Sequence, residues 1–185
     1  TPPVFSNESG YIETLGVKPR KYILALGRFV EEKGFDLLIK AFTSLNRNDI
    51  RLVIAGDADH DMPYTRQLRK LAEENNVVLP GFVRGEALHQ LLTHARLFAL
   101  PSFHEGLPIS LLEAMSYNLP VIVSDIPANK QIALPDEAYF STGSVESLRI
   151  GLDRMLTPPF QPVVYDMTPY DWDKIALQTE EVYKK

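Results

Sequence analysis

Apolar residues in this chain fall into two alternating patterns. Blocks of strand length, interrupted only by Arg51 and Arg96, occur at Tyr22–Leu26, Ile50–Ala55, Val77–Leu79, Ala95–Leu100, Val121–Val123 and Ala138–Phe140. Between them, apolar positions recur every three or four residues: Phe35, Leu38, Ile39, Phe42 and Leu45; Leu68, Leu71 and Ala72; Leu88, Leu91, Leu92 and Ala95; Ile109, Leu112 and Met115; Val145, Leu148, Leu152 and Met155. That recurrence gathers them on one face of a helix. Strands apolar throughout need cover on both faces, and strands alternating with helices imply crossovers between parallel neighbours. The pattern predicts a doubly wound parallel sheet, Rossmann-like, with six strands.

The ends read differently. Residues 1–19 contain Pro, Ser and Gly with little periodicity and are expected to be a lead-in or linker to a sheet domain spanning 20–156. The run Thr157-Pro-Pro-Phe-Gln-Pro162 breaks the preceding helix, so residues 157–185 form a connector and a last amphipathic helix bearing Trp172, Ile175, Ala176, Thr179, Val182 and Tyr183 on one face. Because that helix follows a completed sheet, it is available to pack on something other than this core.

At 185 residues, 45% hydrophobic and 23% charged with a mean hydropathy of −0.10, the chain suits one soluble domain or one large half of a two-domain protein. No apolar run has membrane-spanning length and the N-terminus lacks a basic-then-apolar signal pattern, so a cytoplasmic protein is expected. The absence of cysteine excludes disulfides, thiolate catalysis and Cys-ligated zinc. A net charge of −5 argues against a broad nucleic-acid footprint. An anionic ligand would need particular Arg and Lys residues.

The stretch Pro101–Pro120 is where chemistry concentrates. It passes from a buried strand through a turn carrying His104, Glu105 and Gly106 into a helix, with Pro108 suited to the first helical position because its missing N–H would have been unpaired there. Polar groups at the carboxyl end of a strand and the amino end of a helix mark the ligand edge of an open α/β sheet. The loop Gly27-Arg-Phe-Val-Glu-Glu-Lys-Gly34 follows the first strand at the same edge, so Arg28 and Lys33 could share one anion in the crevice or be two solvated surface charges. It is neither a Walker loop nor a Gly-x-Gly-x-x-Gly turn. Glu105 and Glu113, eight residues apart, would lie roughly 12 Å apart on a helical rise. That is too far for paired acid-base work on one glycosidic bond and suits a grip on two ends of an extended ligand. The alternative is that Glu105 caps the helix and Glu113 is a surface carboxylate. The amides of Gly106, Leu107 and Ile109 lie at the helix start, where unpaired donors favour a phosphate. Asp57-Ala-Asp59 reads as a turn before it reads as a metal pair, and His60, His89, His94 and His104 show no ligand spacing.

Taken together in order, Gly27-Arg28, Glu32-Lys33-Gly34, Gly56-Asp57, Gly81-Phe82-Val83, Pro101-Ser102, Glu105-Gly106-Leu107-Pro108 and Leu112-Glu113-Ala114-Met115 resemble the donor-binding C-terminal domain of retaining glycosyltransferases of the glycogen-synthase-like group 1 family, which have two Rossmann-like domains (GT-B). The likeness covers about residues 20–125, and the Trp172-Asp-Lys-Ile-Ala segment looks like the family's closing helix. It implies that Arg28 and Lys33 neutralise the diphosphate of a nucleotide-sugar, that Glu105 contacts sugar hydroxyls, that the following amides hold sugar and phosphate, and that Glu113 binds the ribose. Gly27 belongs to the same site, and Phe82, Val83 and Arg84 would border the base. It further implies retention at the anomeric carbon, Glu105, Arg28 and Lys33 as the catalytic set, no metal, an acceptor-binding N-terminal domain that this chain lacks, and a saccharide or lipid-linked acceptor of the kind used in polysaccharide assembly. The full-length protein would then be cytoplasmic or peripheral to the inner face of the membrane. A nucleotide-sugar epimerase of related architecture and a non-catalytic scaffold are the competing readings. One departure stands out: after Ser124-Asp125, where many members carry Gly-Gly and a Glu, this chain has Ile126-Pro-Ala-Asn-Lys-Gln131.

Overall fold

The computed structural model describes residues 3–58, 60, 62–159, 163–170, 176 and 180. Five parallel strands, β1 (Tyr22–Leu26), β2 (Arg51–Ala55), β3 (Leu97–Leu100), β4 (Val121–Ser124) and β5 (Tyr139–Phe140), form one sheet in the order β2-β1-β3-β4-β5. Seven helices accompany them among the described residues: α1 (Gly10–Thr14), α2 (Phe35–Thr43), α3 (Pro63–Glu74), α4 (Glu86–His94), α5 (Ile109–Ser116), α6 (Pro127–Lys130) and α7 (Val145–Leu156). The apolar strands are buried on both faces as expected, with one core layer containing Leu24, Phe98 and Leu111 and the other Ile23, Leu38, Ile54 and Leu148.

Of the six expected strands, Val77–Leu79 does not form a full strand. It is reduced to one parallel bridge from Val78 to Val53, closed by Ile54 N to Val78 O and Val78 N to Leu52 O, both 2.9 Å. Pro80 has no N–H to continue the ladder and Gly81 turns away at φ +81. Counting that bridge, the sheet reads in the doubly wound order that reverses between β1 and β3, the position where such sheets bind ligands.

The stretch expected to be a lead-in is packed on the domain from Ile12 onward. Ile12 and Val17 are buried in the core, worth about 1.5–3 kcal/mol for each such side chain. Ahead of them the backbone is strapped along α4: Ser6 N donates to Thr93 Oγ1 at 3.0 Å, Tyr11 N to Gln90 Oε1 at 2.9 Å, and His94 Nε2 to the Glu8 carbonyl at 2.8 Å. Tyr117 OH, at the end of α5, adds a bond to the Val4 carbonyl at 3.1 Å. The closing helix expected on Trp172, Ile175, Thr179, Val182 and Tyr183 lies outside the described residues. No described helix is long and apolar enough to cross a membrane.

Candidate functional site

The carboxyl ends of β1, β2 and β3 open into one crevice of about 880 Å3. Its floor is backbone. Gly27 N donates to Ala55 O at 3.1 Å, and Gly56 N donates to Gly81 O at 2.8 Å, so the ends of β1 and β2 and of the bridged segment at Val78 are laced together. Gly56 sits at φ +144 with an ideal Cβ only 1.8 Å from the Gly27 carbonyl, a position closed to any side chain. With nothing projecting from the floor, a ligand can lie directly on peptide groups.

The walls are the two loops expected to meet there. Phe103 N donates to Glu32 O at 2.8 Å, joining the loop after β3 to the loop after β1. Gly34, at φ +63, fits because a Cβ would stand 2.4 Å from the Pro101 carbonyl oxygen. This lock brings Lys33 Nζ to 2.7 Å from Glu105 Oε1, and Ser102 Oγ donates to the same carboxylate oxygen at 2.6 Å. The Lys33 and Glu105 side chains are 18% and 8% exposed, so the pair sits where solvent screens it little. Arg28, Gly27, Phe82, Val83, Arg84, Leu107, Ile109 and Glu113 line the same crevice, which thus collects every expected site residue except Gly106. Phe82 is 74% exposed and offers an aromatic face at the rim.

Several local expectations are corrected. Pro108 stands before α5 at φ −77, ψ 73, and the helix begins at Ile109; the Pro108 carbonyl accepts from Leu111 and Leu112 at 3.0 and 3.1 Å. The Ile109 amide, expected among the phosphate donors, is spent on the Leu107 carbonyl at 2.9 Å. The amides of Gly106 and Leu107 make no hydrogen bond to a described residue. Glu105 therefore lies in the loop, and the helical-rise estimate of its separation from Glu113 spans four positions that are not helical. His104 is exposed and does not line the crevice.

Glu113 lies at the other end. Burial pushes its carboxyl above the usual glutamate range, with His89 acting in the opposite direction. Its side chain makes no hydrogen bond to a described residue. His89 Nδ1 instead shares a bond of 2.7 Å with Tyr117 OH. Asp57 lines the crevice but is paired with Arg69 at 2.8 Å, while Asp59 is outside the described residues. No group of three or more His, Asp or Glu among the described residues could hold a metal ion. A second hollow of about 490 Å3, beyond β4 against Asp125, Lys130 and Tyr139, contains none of the expected residues.

The profile of the family described as glycosyl transferases group 1 matches residues 9–163. The chain belongs to this family. An uncharacterized glycosyltransferase of Methanocaldococcus jannaschii is 32% identical over 182 residues, covering 92% of this chain and 47% of its own length. This group 1 chain thus spans about half the length of that relative. Among solved structures, sucrose-phosphate synthase of Thermosynechococcus elongatus superposes with a TM-score of 0.80 at 22% identity, over 97% of this chain and 49% of that one. The Anabaena protein HepE, solved in complex with UDP, superposes with a TM-score of 0.69 at 20% identity, over 79% and 42%. Both likenesses show the shared Rossmann-like fold.

The crevice of this family member also includes residues that the sequence reading did not assign to it: Leu26, Ala55, Gly56, Asp57, Ala58, Leu88 and Ser110. Gly56-Asp57 could have been found, since it ends β2 at the same sheet edge as Gly27-Arg28. Leu88 gave no such signal, because one apolar residue on an amphipathic helix looks like core.

Proposed function

We propose that this chain is the donor half, the C-terminal domain of a GT-B enzyme, in a retaining glycosyltransferase that uses a nucleotide-diphospho-sugar. One observation carries the reading: a single crevice at the topological switch point gathers two cations, Arg28 and Lys33, and two glutamates on a floor of bare peptide. A diphosphate would lie on that floor against Arg28, Lys33 and the amides of Gly106 and Leu107. The ribose hydroxyls would donate to Glu113 and the base would border Phe82, Val83 and Arg84. Glu105 would accept from hydroxyls of the sugar. The HepE complex with UDP supports a nucleotide ligand, being a protein of the same fold solved with one.

In the reaction proposed, the bond between the anomeric carbon and the diphosphate oxygen breaks with its electron pair going to the diphosphate. An acceptor hydroxyl then bonds to the same face of that carbon, its proton passing to the departing diphosphate oxygen. Arg28, Lys33 and the loop amides meet charge as it develops on the leaving group, the kind of preorganised stabilisation that lowers such barriers most. These residues supply the positive charge without a metal. The acceptor, a saccharide or a lipid-linked acceptor, would be held by an N-terminal domain, in a protein that is cytoplasmic or peripheral to the inner membrane face. The relatives matched are named as transferases, so the epimerase and scaffold readings have no specific observation in their favour.

Calorimetric titration of the folded chain with UDP, GDP and ADP tests the proposal. Binding of one of them, abolished or greatly weakened by Arg28→Ala, is the expected outcome. Binding of none, with the fold intact by circular dichroism, overturns it.

A further inference from the structure

Six polar residues are buried among those described, and three of them, Ser102, Ser124 and Asn129, are fully enclosed and in contact with one another behind the crevice wall. Asn129, on α6, donates through Nδ2 to the Ser124 carbonyl at 2.9 Å and to Ser124 Oγ at 3.1 Å. Ser124, the last residue of β4, donates its hydroxyl to the Ser102 carbonyl at 2.5 Å. Ser102 donates in turn to Glu105 Oε1, the oxygen that also accepts from Lys33. Each hydroxyl has one proton and each is committed: Ser124 Oγ accepts from Asn129 and donates to the Ser102 carbonyl, which holds the Ser102 backbone, while Ser102 Oγ donates to Glu105 Oε1. The direction at Ser124 is fixed from both sides, because the Asn129 amide nitrogen can only donate and the Ser102 carbonyl can only accept.

The series comes at a cost that packing does not explain. Asn129 Oδ1 is enclosed with no hydrogen-bond partner among the described residues, an arrangement that disfavours the fold by about 1–3 kcal/mol. An apolar side chain in that place would avoid it. What the asparagine uniquely supplies is a pair of donated bonds to Ser124, and Tyr139 OH donating to the Asn129 carbonyl at 3.2 Å holds its backbone in place. A buried polar group kept under such conditions points to a local role.

We propose that Asn129, Ser124 and Ser102 are positioning residues that hold the Glu105 carboxylate in one orientation for the hydroxyls of the donor sugar. The segment Ile126–Gln131, where this chain departs from the commoner Gly-Gly and Glu, is the anchor of that series. The inference rests on the nucleotide-sugar reading above. Glu105 presents one oxygen to Lys33 and Ser102, so its other oxygen is the one turned to ligand, and a carboxylate free to rotate would lose selectivity for the sugar while leaving the diphosphate contacts in place.

The test compares two affinities in this chain by calorimetry: that for whichever of UDP, GDP and ADP the native chain binds, and that for its glucose or N-acetylglucosamine conjugate. The native chain should bind one conjugate more tightly than the free diphosphate. Ser102→Ala should reduce that gain by about tenfold, the worth of one hydrogen bond to a charged group, and Asn129→Ala, which acts through Ser124 and the Ser102 backbone, by about threefold, both with diphosphate affinity kept within about twofold. Ser102→Thr, which keeps the hydroxyl, should restore it. A purely structural role would lower the melting temperature and weaken both ligands together. Native binding of the diphosphate with no sugar gain, or a gain that survives in both alanine variants, overturns the positioning role while leaving the nucleotide reading standing. Failure of the native chain to bind any of the three diphosphates overturns both.

Discussion

Glu105 and Glu113 are the same residue type on one turn-and-helix segment, and the fold treats them in opposite ways. Glu105 is enclosed between an ammonium and a serine hydroxyl at 2.7 and 2.6 Å, in a loop locked to its neighbour by backbone. Glu113 is half-buried on α5, has no hydrogen bond to a described residue, and has its carboxyl shifted upward by burial. One end of the crevice is built before a ligand arrives; the other holds a desolvated acceptor waiting for donors. The contrast suits a ligand whose two ends demand different things: exact orientation at a reacting sugar, and recognition at a ribose far from the bond that breaks. Binding should therefore satisfy Glu113 and merely use Glu105.

The contrast can be broken most severely at the lock. Gly34→Ala places a Cβ 2.4 Å from the Pro101 carbonyl in a left-handed conformation, and should cost about 3 kcal/mol in urea unfolding. A loss under about 0.5 kcal/mol would mean the two loops are not rigidly joined. Next, Lys33→Ala leaves Glu105 without its cation in an enclosed site; stability should fall by about 2 kcal/mol, with diphosphate affinity down tenfold or more. If Lys33 were an ordinary surface pair, stability would hardly change.

The Glu113 end predicts the reverse. Glu113→Gln should leave stability unchanged or raise it by a few tenths of a kcal/mol at neutral pH, since a charge that burial disfavours has been removed. Nucleoside diphosphate affinity should nonetheless drop about tenfold, because the ribose loses a charged acceptor. The smallest effect is in pH. With a folded-state value above the ordinary 4.5, the folded chain binds this proton more tightly than the unfolded one. Native stability relative to the Gln variant should therefore rise as pH falls through the folded value, and the gain should be complete below 4.5. Nucleotide affinity should decline over the same window. A pH-independent difference between the two proteins would place Glu113 in water.

Much of this was legible because strand blocks and helical recurrences are long-range regularities of the chain. Tyr22–Leu26 and residues 52–55 had to be buried on both faces, and the ligand edge followed from where Gly27 and Pro101 end their strands. What stayed hidden depends on single contacts. Ile12 and Val17 are two apolar residues without a period, so their place in the core is set by a surface on α4 that no local pattern announces. The Ile109 amide was lost to a bond with Leu107, two residues back, in a turn that the helical pattern reads as already helical. Ser102, Ser124 and Asn129 look like turn formers in sequence, and only three-dimensional proximity makes them a series.

The strap along α4 has a mechanical consequence. Bonds at Ser6, Glu8 and Tyr11 couple the backbone of residues 4–11 to successive turns of a helix whose Leu88 forms part of the crevice wall. The Tyr117 bond to Val4 adds a second attachment, at the foot of the helix that carries Glu113. Tension applied at Val4 would thus be shared by both helices flanking the Glu113 end, while the glycine-laced floor and the locked Glu105 end would bear little of it. The segment is a lever with its load on one side of the crevice.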